Sequence, residues 1–376
     1  MAPLNPTHGT NSSSRFASNG RRQAEALHPS RIARRLIDGT YLSSYLPNPI
    51  QPACPPCDPK PPLPSKHTLL GPLGLPAEIL LHIFDYVDSA YFRKDLSRLT
   101  ICKQWYKYAS TMCFRDFQAT QSTVQCLFSS PYLERSLARL RGTGKTLDLN
   151  LTGYDHRHPH SYGREVRAAC RAWTLQLNEY LRHFAAGIRE SRNLRVLRIQ
   201  ATSKVDPMHP RLGGRPYGLD YLVPSTVRAF LLIENLTSLE LDLCGSRFVP
   251  GPGRTNGTNV SCHICTDIAA LLTTLRRLRL RMRTICADFL KPPPVHNAKL
   301  RLNEVIINLS LYEALSRATA QHAVWCRDSS TPEWNGFEGG MEAQARILAA
   351  RMATPREVRI IRHTLPDLQM HVRCFK

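Results

Sequence analysis

The sequence predicts an α+β protein with three parts. A disordered N-terminal segment covers residues 1–68, a small all-α helical domain covers residues 69–118, and an α/β solenoid covers residues 119–376. Three observations predict this arrangement. The first part has the composition of an unfolded chain, the second has apolar residues at helical spacing, and the third repeats a short leucine template between helix-like stretches.

The chain carries a strong positive charge. Lysine and arginine number 50 against 29 aspartate and glutamate, which gives a formal net charge of +21. Such a charge favours acidic partners, namely nucleic acid, anionic lipid, phosphopeptides or acidic proteins. A solvated basic surface that binds none of these is the competing interpretation.

The sequence has no feature of a secreted or membrane protein. It begins with Met-Ala-Pro-Leu-Asn-Pro and lacks an apolar signal region, and no apolar run reaches the roughly 20 residues that span a bilayer. We therefore expect a protein of the cytoplasm or the nucleus with no membrane partner. Its 12 cysteines should be reduced thiols, many of them buried.

Residues 1–68 are rich in Pro, Ser, Asn and Arg and poor in aromatic and branched apolar residues. A segment of this composition buries too little surface to offset the entropy that ordering costs, so we expect it to be disordered. A Cys-x-x-Cys at Cys54 and Cys57 lies among prolines, which favours a linker over a redox motif.

Residues 69–118 contain two apolar stripes at helical spacing. Pro76 suits a first helical turn, where its missing N–H donor is not needed. The first stripe comprises Ile79, Leu80, Ile83, Phe84 and Val87, and the second comprises Cys102, Trp105, Tyr106 and Ala109. A segment of this size is too short to bury so many large apolar groups internally, so some of them should contact a partner.

Residues 119–376 alternate short apolar strands with helix-like stretches. The predicted strands are 146–151, 194–199, 236–243, 275–280, 302–309 and 358–361, and the predicted helices are 165–190, 221–235, 266–274 and 341–352. Three strands share the template L-x-x-L-x-L/I, the strand part of a leucine-rich repeat. The Pro- and Gly-rich stretches 203–217 and 246–262 indicate long loops inserted between repeats.

A row of arginines is the sharpest charge feature of this region. In the predicted strand, Arg277, Arg279, Arg281 and Arg283 share one face, and Arg195 and Arg198 belong to an earlier strand. Stacked parallel strands would set these guanidinium groups side by side, where they could bind phosphate or carboxylate groups. The candidate target-binding residues are therefore Arg195, Arg277, Arg279, Arg281 and Arg283. A nucleic-acid surface and a solvated charged face are the alternatives.

No motif of an enzyme or a metal site is complete. Cys262-His263-Ile264-Cys265 resembles half of a zinc site, but Cys244 and Cys286 stand apart in sequence, so ordinary thiols are the favoured interpretation. The alternating His156, His158 and His160 fit a solvated loop. The sequence Gly-Thr-Gly-Lys-Thr at 142–146 lacks the first glycine of a phosphate-binding loop. We expect no catalytic residue, no metal and no cofactor.

The segment Leu73–Phe117 resembles an F-box. It contains Leu75-Pro76, Glu78-Ile79, Ile83-Phe84, Val87, Leu96, Leu99 and Cys102-Lys103-Gln104-Trp105-Tyr106, in the order and spacing of that family over about 45 residues. The whole layout, with irregular leucine-rich repeats after this segment, resembles fungal F-box proteins.

The resemblance implies a substrate receptor of an SCF-type ubiquitin ligase, which directs its target to ubiquitin-dependent degradation and is not itself an enzyme. The F-box would bind a Skp-type adaptor, and through it a cullin, with Leu75, Pro76, Ile79, Ile83, Lys103 and Trp105 facing the adaptor. Trp105 fits the internal core equally well. The repeats would bind an unknown target protein, acidic or phosphorylated. The alternatives are an F-box protein that acts outside ubiquitination and a basic nucleic-acid-binding protein.

Overall fold

The computed structural model describes residues 75–154, 164–202, 221–244, 263–294, 299–310, 324–325, 334–353, 357–364 and 369–376. Four sequence predictions lie outside these residues. They are the disordered segment 1–68 with its Cys54 and Cys57, the loops 203–217 and 246–262, and the cluster His156, His158 and His160.

Three short helices open the described chain. They are α1 (Ala77–Tyr86), α2 (Ser89–Lys94) and α3 (Lys103–Arg115), with a 3₁₀ turn at Leu96–Leu99 between α2 and α3. Side-chain caps mark where α2, the 3₁₀ turn and α3 begin, because each cap satisfies a backbone N–H that lacks a partner within the helix. The Asp95 carboxylate accepts from the Ser97 N–H at 3.0 Å, and the Cys102 Sγ accepts from the Trp105 N–H at 3.3 Å. The Ser97 hydrogen bonds lower the pKa of Asp95.

A mostly parallel eight-stranded sheet follows directly. Its order is β1 (Asp116–Thr120), β2 (Thr146–Leu151), β3 (Val196–Ala201), β4 (Ser238–Leu243), β5 (Arg277–Met282), β7 (Glu304–Asn308), β9 (Glu357–Thr364) and β10 (Gln369–Phe375). Only the last pairing in this sheet, β9 with β10, is antiparallel. A separate parallel pair joins β6 (Thr284–Ile285) to β8 (Val324–Trp325). Each strand of the main sheet thus lies beside the strand that follows it in sequence, apart from this small pair.

Helices connect the parallel strands, as the parallel geometry requires. They are α4 (Gln121–Phe128), α5 (Leu133–Thr143), α6 (Arg164–Ile188), α7 (Pro224–Leu231), α8 (Cys265–Leu271) and α9 (Trp334–Arg351), with a second 3₁₀ turn at Ala287–Leu290. In the described part of the chain, none of the helices combines the length and the apolar character that crossing a membrane requires.

The core lies on one face of the sheet. The strand register aligns two rows of apolar side chains across six strands. The first row is Leu147, Leu197, Leu239, Leu278, Val305 and Val358, and the second is Leu149, Ile199, Leu241, Leu280, Ile307 and Ile360. Every member is at most 3% exposed. Burial of each such side chain stabilises the folded protein by about 1.5–3 kcal/mol. A shift of one residue would expose these side chains, so the two rows fix the register of the strands.

A buried amide ties α6 to the start of α7. The Asn178 Nδ2 donates to the carbonyl oxygens of Thr174 and Tyr221, both at 2.7 Å. Its Oδ1 accepts from the Val223 N–H at 3.0 Å and the Thr226 hydroxyl at 2.7 Å. The amide thus makes its four hydrogen bonds inside the protein, which compensates for the cost of burying it.

The predicted mixed fold of helices and a mostly parallel sheet is confirmed. The strand predicted at 146–151 is β2, and those predicted from 194, 236 and 275 begin two residues later as β3, β4 and β5. The sequence did not predict β1, β10, α4 or α5. Strand β1 also crosses the predicted domain boundary at residue 118, because it pairs with β2 along its whole length.

Candidate functional site

Helix α1 has one buried apolar face and one exposed apolar face. Leu80 and Phe84 are 1% exposed, whereas Ile79 and Ile83 are 45% and 39% exposed. The latter pair is four residues apart and therefore adjacent on the helix surface. We call this exposed pair, with Leu75 and Pro76 at the start of α1, the α1 surface. Pro76 is exposed and Leu75 is partly buried against the core.

The Pro76 carbonyl oxygen starts the helix. It accepts from the N–H groups of Ile79 and Leu80, both at 3.1 Å. The Leu-Pro pair thus fixes where α1 begins and which of its residues face outward. Further large apolar side chains are exposed in the three-helix segment, namely Leu81, Tyr86, Tyr91 and Ile101.

Trp105 points into the three-helix segment, and Lys103 stays outside. The Trp105 ring lies 4.7 Å from the Phe84 ring and 6.5 Å from the Phe92 ring, measured between centroids. Its Nε1 donates to the Arg98 carbonyl oxygen at 2.6 Å. Lys103 is exposed in the first turn of α3. Of the six predicted adaptor-facing residues, Trp105 is thus a half-buried side chain that packs against the core.

The three-helix segment is fixed to the sheet at the first residue of β1. The Arg93 guanidinium donates to the Asp116 carbonyl oxygen, and the Ser89 hydroxyl donates to the Asp116 carboxylate at 3.3 Å. Arg115 forms an ion pair with Asp85 of α1. Because these contacts bracket the junction of α3 and β1, they set the orientation of the α1 surface relative to the sheet.

The second face of the sheet carries charged side chains, and in one row their charges alternate from strand to strand. This row runs from Asp148 through Arg198 and Glu240 to Arg279, one residue on each of β2 to β5. Arg198 lies 3.2 Å from the Asp148 carboxylate and 3.5 Å from that of Glu240. We call these four residues the charged row. It places a carboxylate between the two arginines, so they do not lie side by side as the sequence predicted.

The remaining predicted arginines are distributed differently. Arg281 pairs with Asp242 at 3.3 Å, and Arg279 pairs with Glu304 at 3.5 Å. Arg277 is exposed at the first position of β5, and Arg283 follows the end of that strand.

Arg195 precedes β3 and is not on the charged face. It donates to the Asn235 carbonyl oxygen at 3.0 Å. The carboxylates that separate the arginines were missed, although their strands were predicted, because the sequence does not show which residues become neighbours across strands.

A cluster of one imidazole and two thiols lies beside α8. Ligand atoms of His263, Cys265 and Cys286 all lie within 4.8 Å of one another. Cys265 and Cys286 are at most 1% exposed. The Asp288 Oδ2 lies 3.4 Å from the Cys286 Sγ and 3.9 Å from the His263 Nε2. The sequence pointed to His263 and Cys265 through their spacing, but gave no sign that Cys286 lies next to them.

Comparisons of this chain with models of protein families, with curated proteins and with solved structures give no match.

Proposed function

We propose that this chain is the substrate-recognition subunit of an SCF-type ubiquitin ligase. Residues 69–118 act as an F-box that binds a Skp-type adaptor, and the adaptor links the chain to a cullin. The strand–helix units after them act as irregular leucine-rich repeats that bind the target protein. The observation that carries the proposal is the α1 surface, which exposes Ile79 and Ile83 next to the Leu75-Pro76 start.

The exposed apolar side chains are concentrated rather than scattered. Single exposed apolar residues are normal on a protein surface and need no partner. Here Ile79, Leu81 and Ile83 lie within one helix, and Tyr91 and Ile101 follow close by. Covering Ile79 and Ile83 would contribute about 1–3 kcal/mol together, because roughly half of each side chain is already buried. An adaptor that covers Ile79 and Ile83 would bury apolar surface that this short segment cannot bury by itself.

The strand order and the register support the repeat interpretation. Each template leucine pair takes the same position in successive strands, with Leu197, Leu239 and Leu278 aligned. In a solenoid of this kind one face of the sheet carries the core and the other is open to a partner. We assign the target to that open face, where Arg277, Arg279 and Arg281 lie.

The charges of the open face favour a protein target over nucleic acid. Arg198, Arg279 and Arg281 each lie within 3.5 Å of a carboxylate. These carboxylates weaken the positive potential that a phosphate backbone requires. A target surface with both acidic and basic residues would complement the alternating charges of the charged row. An acidic or phosphorylated segment of the target would bind at Arg277, the first residue of β5. The chain positions this target for ubiquitin transfer and needs no catalytic residue of its own.

Adaptor binding tests the proposal directly. We expect that Ile79→Asp/Ile83→Asp weakens co-purification with a co-expressed Skp-type adaptor at least tenfold, because two carboxylates would lose their water in an apolar interface. Leu175→Asp/Leu232→Asp is the matched control. These two residues are similarly exposed, at 43% and 49%, but lie on α6 and after α7.

The control should bind the adaptor like the wild type, and circular dichroism should show both variants folded. Full adaptor binding by a folded Ile79→Asp/Ile83→Asp variant would refute the proposal. Adaptor complexes that contain no cullin would instead assign the chain to action outside ubiquitination.

A further inference from the structure

We propose that His263, Cys265, Cys286 and Asp288 form a binding site for one structural zinc ion. The four residues come from two separate parts of the chain. His263 and Cys265 flank the start of α8, and Cys286 and Asp288 belong to the 3₁₀ turn after β6. The site is independent of the α1 surface and of the charged row.

The ligand atoms of His263, Cys265 and Cys286 are close enough to bind one zinc ion, and Asp288 lies next to two of these residues. Zinc lies about 2.3 Å from cysteine sulfur and about 2.0–2.2 Å from histidine nitrogen or carboxylate oxygen, so two ligand atoms on a tetrahedron are roughly 3.3–3.8 Å apart. The Cys286 Sγ lies 3.8 Å from the His263 Nδ1 and 3.4 Å from the Asp288 Oδ2. A small inward shift would let His263, Cys265 and Cys286 surround one ion, because their ligand atoms lie within 4.8 Å of one another. Asp288 would complete the set by turning its carboxylate toward the ion, since its 3.9 Å distance is to Nε2, the ring nitrogen that does not face Cys286.

The chemistry of the donors favours zinc. Two thiols and one imidazole are the ligands that zinc prefers, and one carboxylate completes a set of four. Calcium and magnesium require oxygen ligands and do not fit this set. In a reducing compartment, a buried pair of thiols beside a histidine is more consistent with a metal site than with a disulfide.

The neighbouring contacts hold the ligands in place. The Arg228 guanidinium donates to the His263 carbonyl oxygen at 3.2 Å and pairs with Asp267 of α8 at 2.8 Å. Lys291 holds the other oxygen of Asp288 at 2.8 Å. Such supporting contacts orient metal ligands and raise the affinity of a site. The ion would fasten the start of α8 to the turn that follows β5 and β6.

Other buried cysteines lack this arrangement. Cys113 and Cys170 are buried in α3 and α6, where burial raises the pKa of each thiol. Among the residues that the structure describes, His263, Cys265 and Cys286 form the single group of three with the geometry of a metal site. Cys113 and Cys170 therefore serve as matched controls. Their substitution removes a buried thiol but no proposed zinc ligand.

The experiment measures metal in the full-length protein. We expect purification with zinc in the medium to give about one zinc per chain by mass spectrometry of the metal. Replacing zinc by cobalt should give visible ligand-field bands and a thiolate-to-cobalt charge-transfer band in the near ultraviolet. Cys286→Ser and His263→Gln should each weaken zinc binding at least tenfold, and Asp288→Asn should weaken it by about tenfold. Cys113→Ser and Cys170→Ser should retain the full zinc content.

Two outcomes would overturn the proposal. One is a folded wild-type protein that binds no zinc or cobalt above background. The other is a cobalt spectrum without thiolate charge transfer. If Cys286→Ser fails to fold, the spectrum of the wild-type protein and the Asp288→Asn variant still decide the question.

Discussion

Trp105 connects all three opening helices through one side chain. Its ring contacts Phe84 of α1 and Phe92 of α2, and its indole N–H donates to the Arg98 carbonyl oxygen in the 3₁₀ turn. In the resemblance to an F-box, Trp105 was equally a residue of the adaptor surface and a residue of the core. Its contacts place most of the half-buried ring against the core, so its substitution should first affect stability.

Substitution of Trp105 therefore tests stability rather than binding. We expect Trp105→Ala to lower the free energy of unfolding by about 2–4 kcal/mol, because it removes a large half-buried ring that packs against the core. Trp105→Phe should cost about 1–3 kcal/mol, since it keeps a ring but leaves the Arg98 carbonyl without its donor. Ile101→Ala, at a side chain 57% exposed, is the control and should change the value little. Urea denaturation measures all three, and an unchanged midpoint for Trp105→Ala would contradict this role.

The cysteines show how far a residue's chemistry depends on its position. Burial raises the pKa of Cys113 to about 12, although Arg93 opposes the shift. Cys374 is exposed at the end of β10, and Cys102 caps α3. The sequence predicted that many thiols are buried, but not which ones, because α3 and β10 place their thiols by packing rather than by local pattern.

At the scale of single elements, β3 separates two kinds of residue on its two faces. Leu197 is 0% exposed in the apolar row, and its neighbour Arg198 has a half-exposed side chain in the charged row. The two side chains thus stabilise the fold through different interactions. Leu197 leaves water, whereas Arg198 makes ion pairs that water and salt screen.

The two faces of β3 should therefore respond very differently to truncation. We expect Leu197→Ala to cost about 2–5 kcal/mol through the cavity it leaves, and Arg198→Ala to cost under about 1 kcal/mol. The Arg198→Ala effect should also shrink as salt is added, while the Leu197→Ala effect should not. Urea denaturation at low and high salt measures both. If both variants lowered the free energy of unfolding equally, the charged row would stabilise the fold more than its exposed side chains suggest.

The leucine template located the strands but shifted their starts. Leu194, Leu236 and Leu275 begin the template in three repeats, yet each lies before its strand and is buried in the preceding turn. Apolar character alone does not separate a buried turn residue from a buried strand residue. The sequence did not predict β10, because this antiparallel edge strand lacks the buried apolar pattern of the other strands. Its Met370 and Val372 are 63% and 48% exposed.

The candidate sites were predictable to different degrees. The α1 surface follows from local helical spacing and a short motif. The structure exposes Ile79 and Ile83 on one helix, and their contact with an adaptor stays a prediction. The cluster of His263 and Cys286 joins residues from either side of α8 and β5. Its geometry depends on how α8 packs against the second 3₁₀ turn, which no local pattern records.

At the scale of the whole molecule, the helices and the sheet form one structure. Helix α3 ends at Arg115 and β1 begins at Asp116 without a linker. Buried residues of α1 and α3 belong to the same continuous apolar core as the strand rows. Under the proposed function, this direct connection would hold the adaptor and the target at a fixed relative position, as a receptor that positions its target requires.

An insertion at this junction tests the idea. Four glycines between Arg115 and Asp116 would separate Asp116 from Arg93 and Ser89, so we expect the free energy of unfolding to fall by several kcal/mol. The same insertion between Lys291 and Pro292, after the second 3₁₀ turn, is the control and should cost less. The wild type should unfold in one transition, whether it is followed by tryptophan fluorescence or by far-ultraviolet circular dichroism. Two separate transitions of the wild type would mean that the three-helix segment and the sheet unfold independently. An insertion without effect would mean that the contacts of Asp116 with Arg93 and Ser89 do not hold the segment on the sheet.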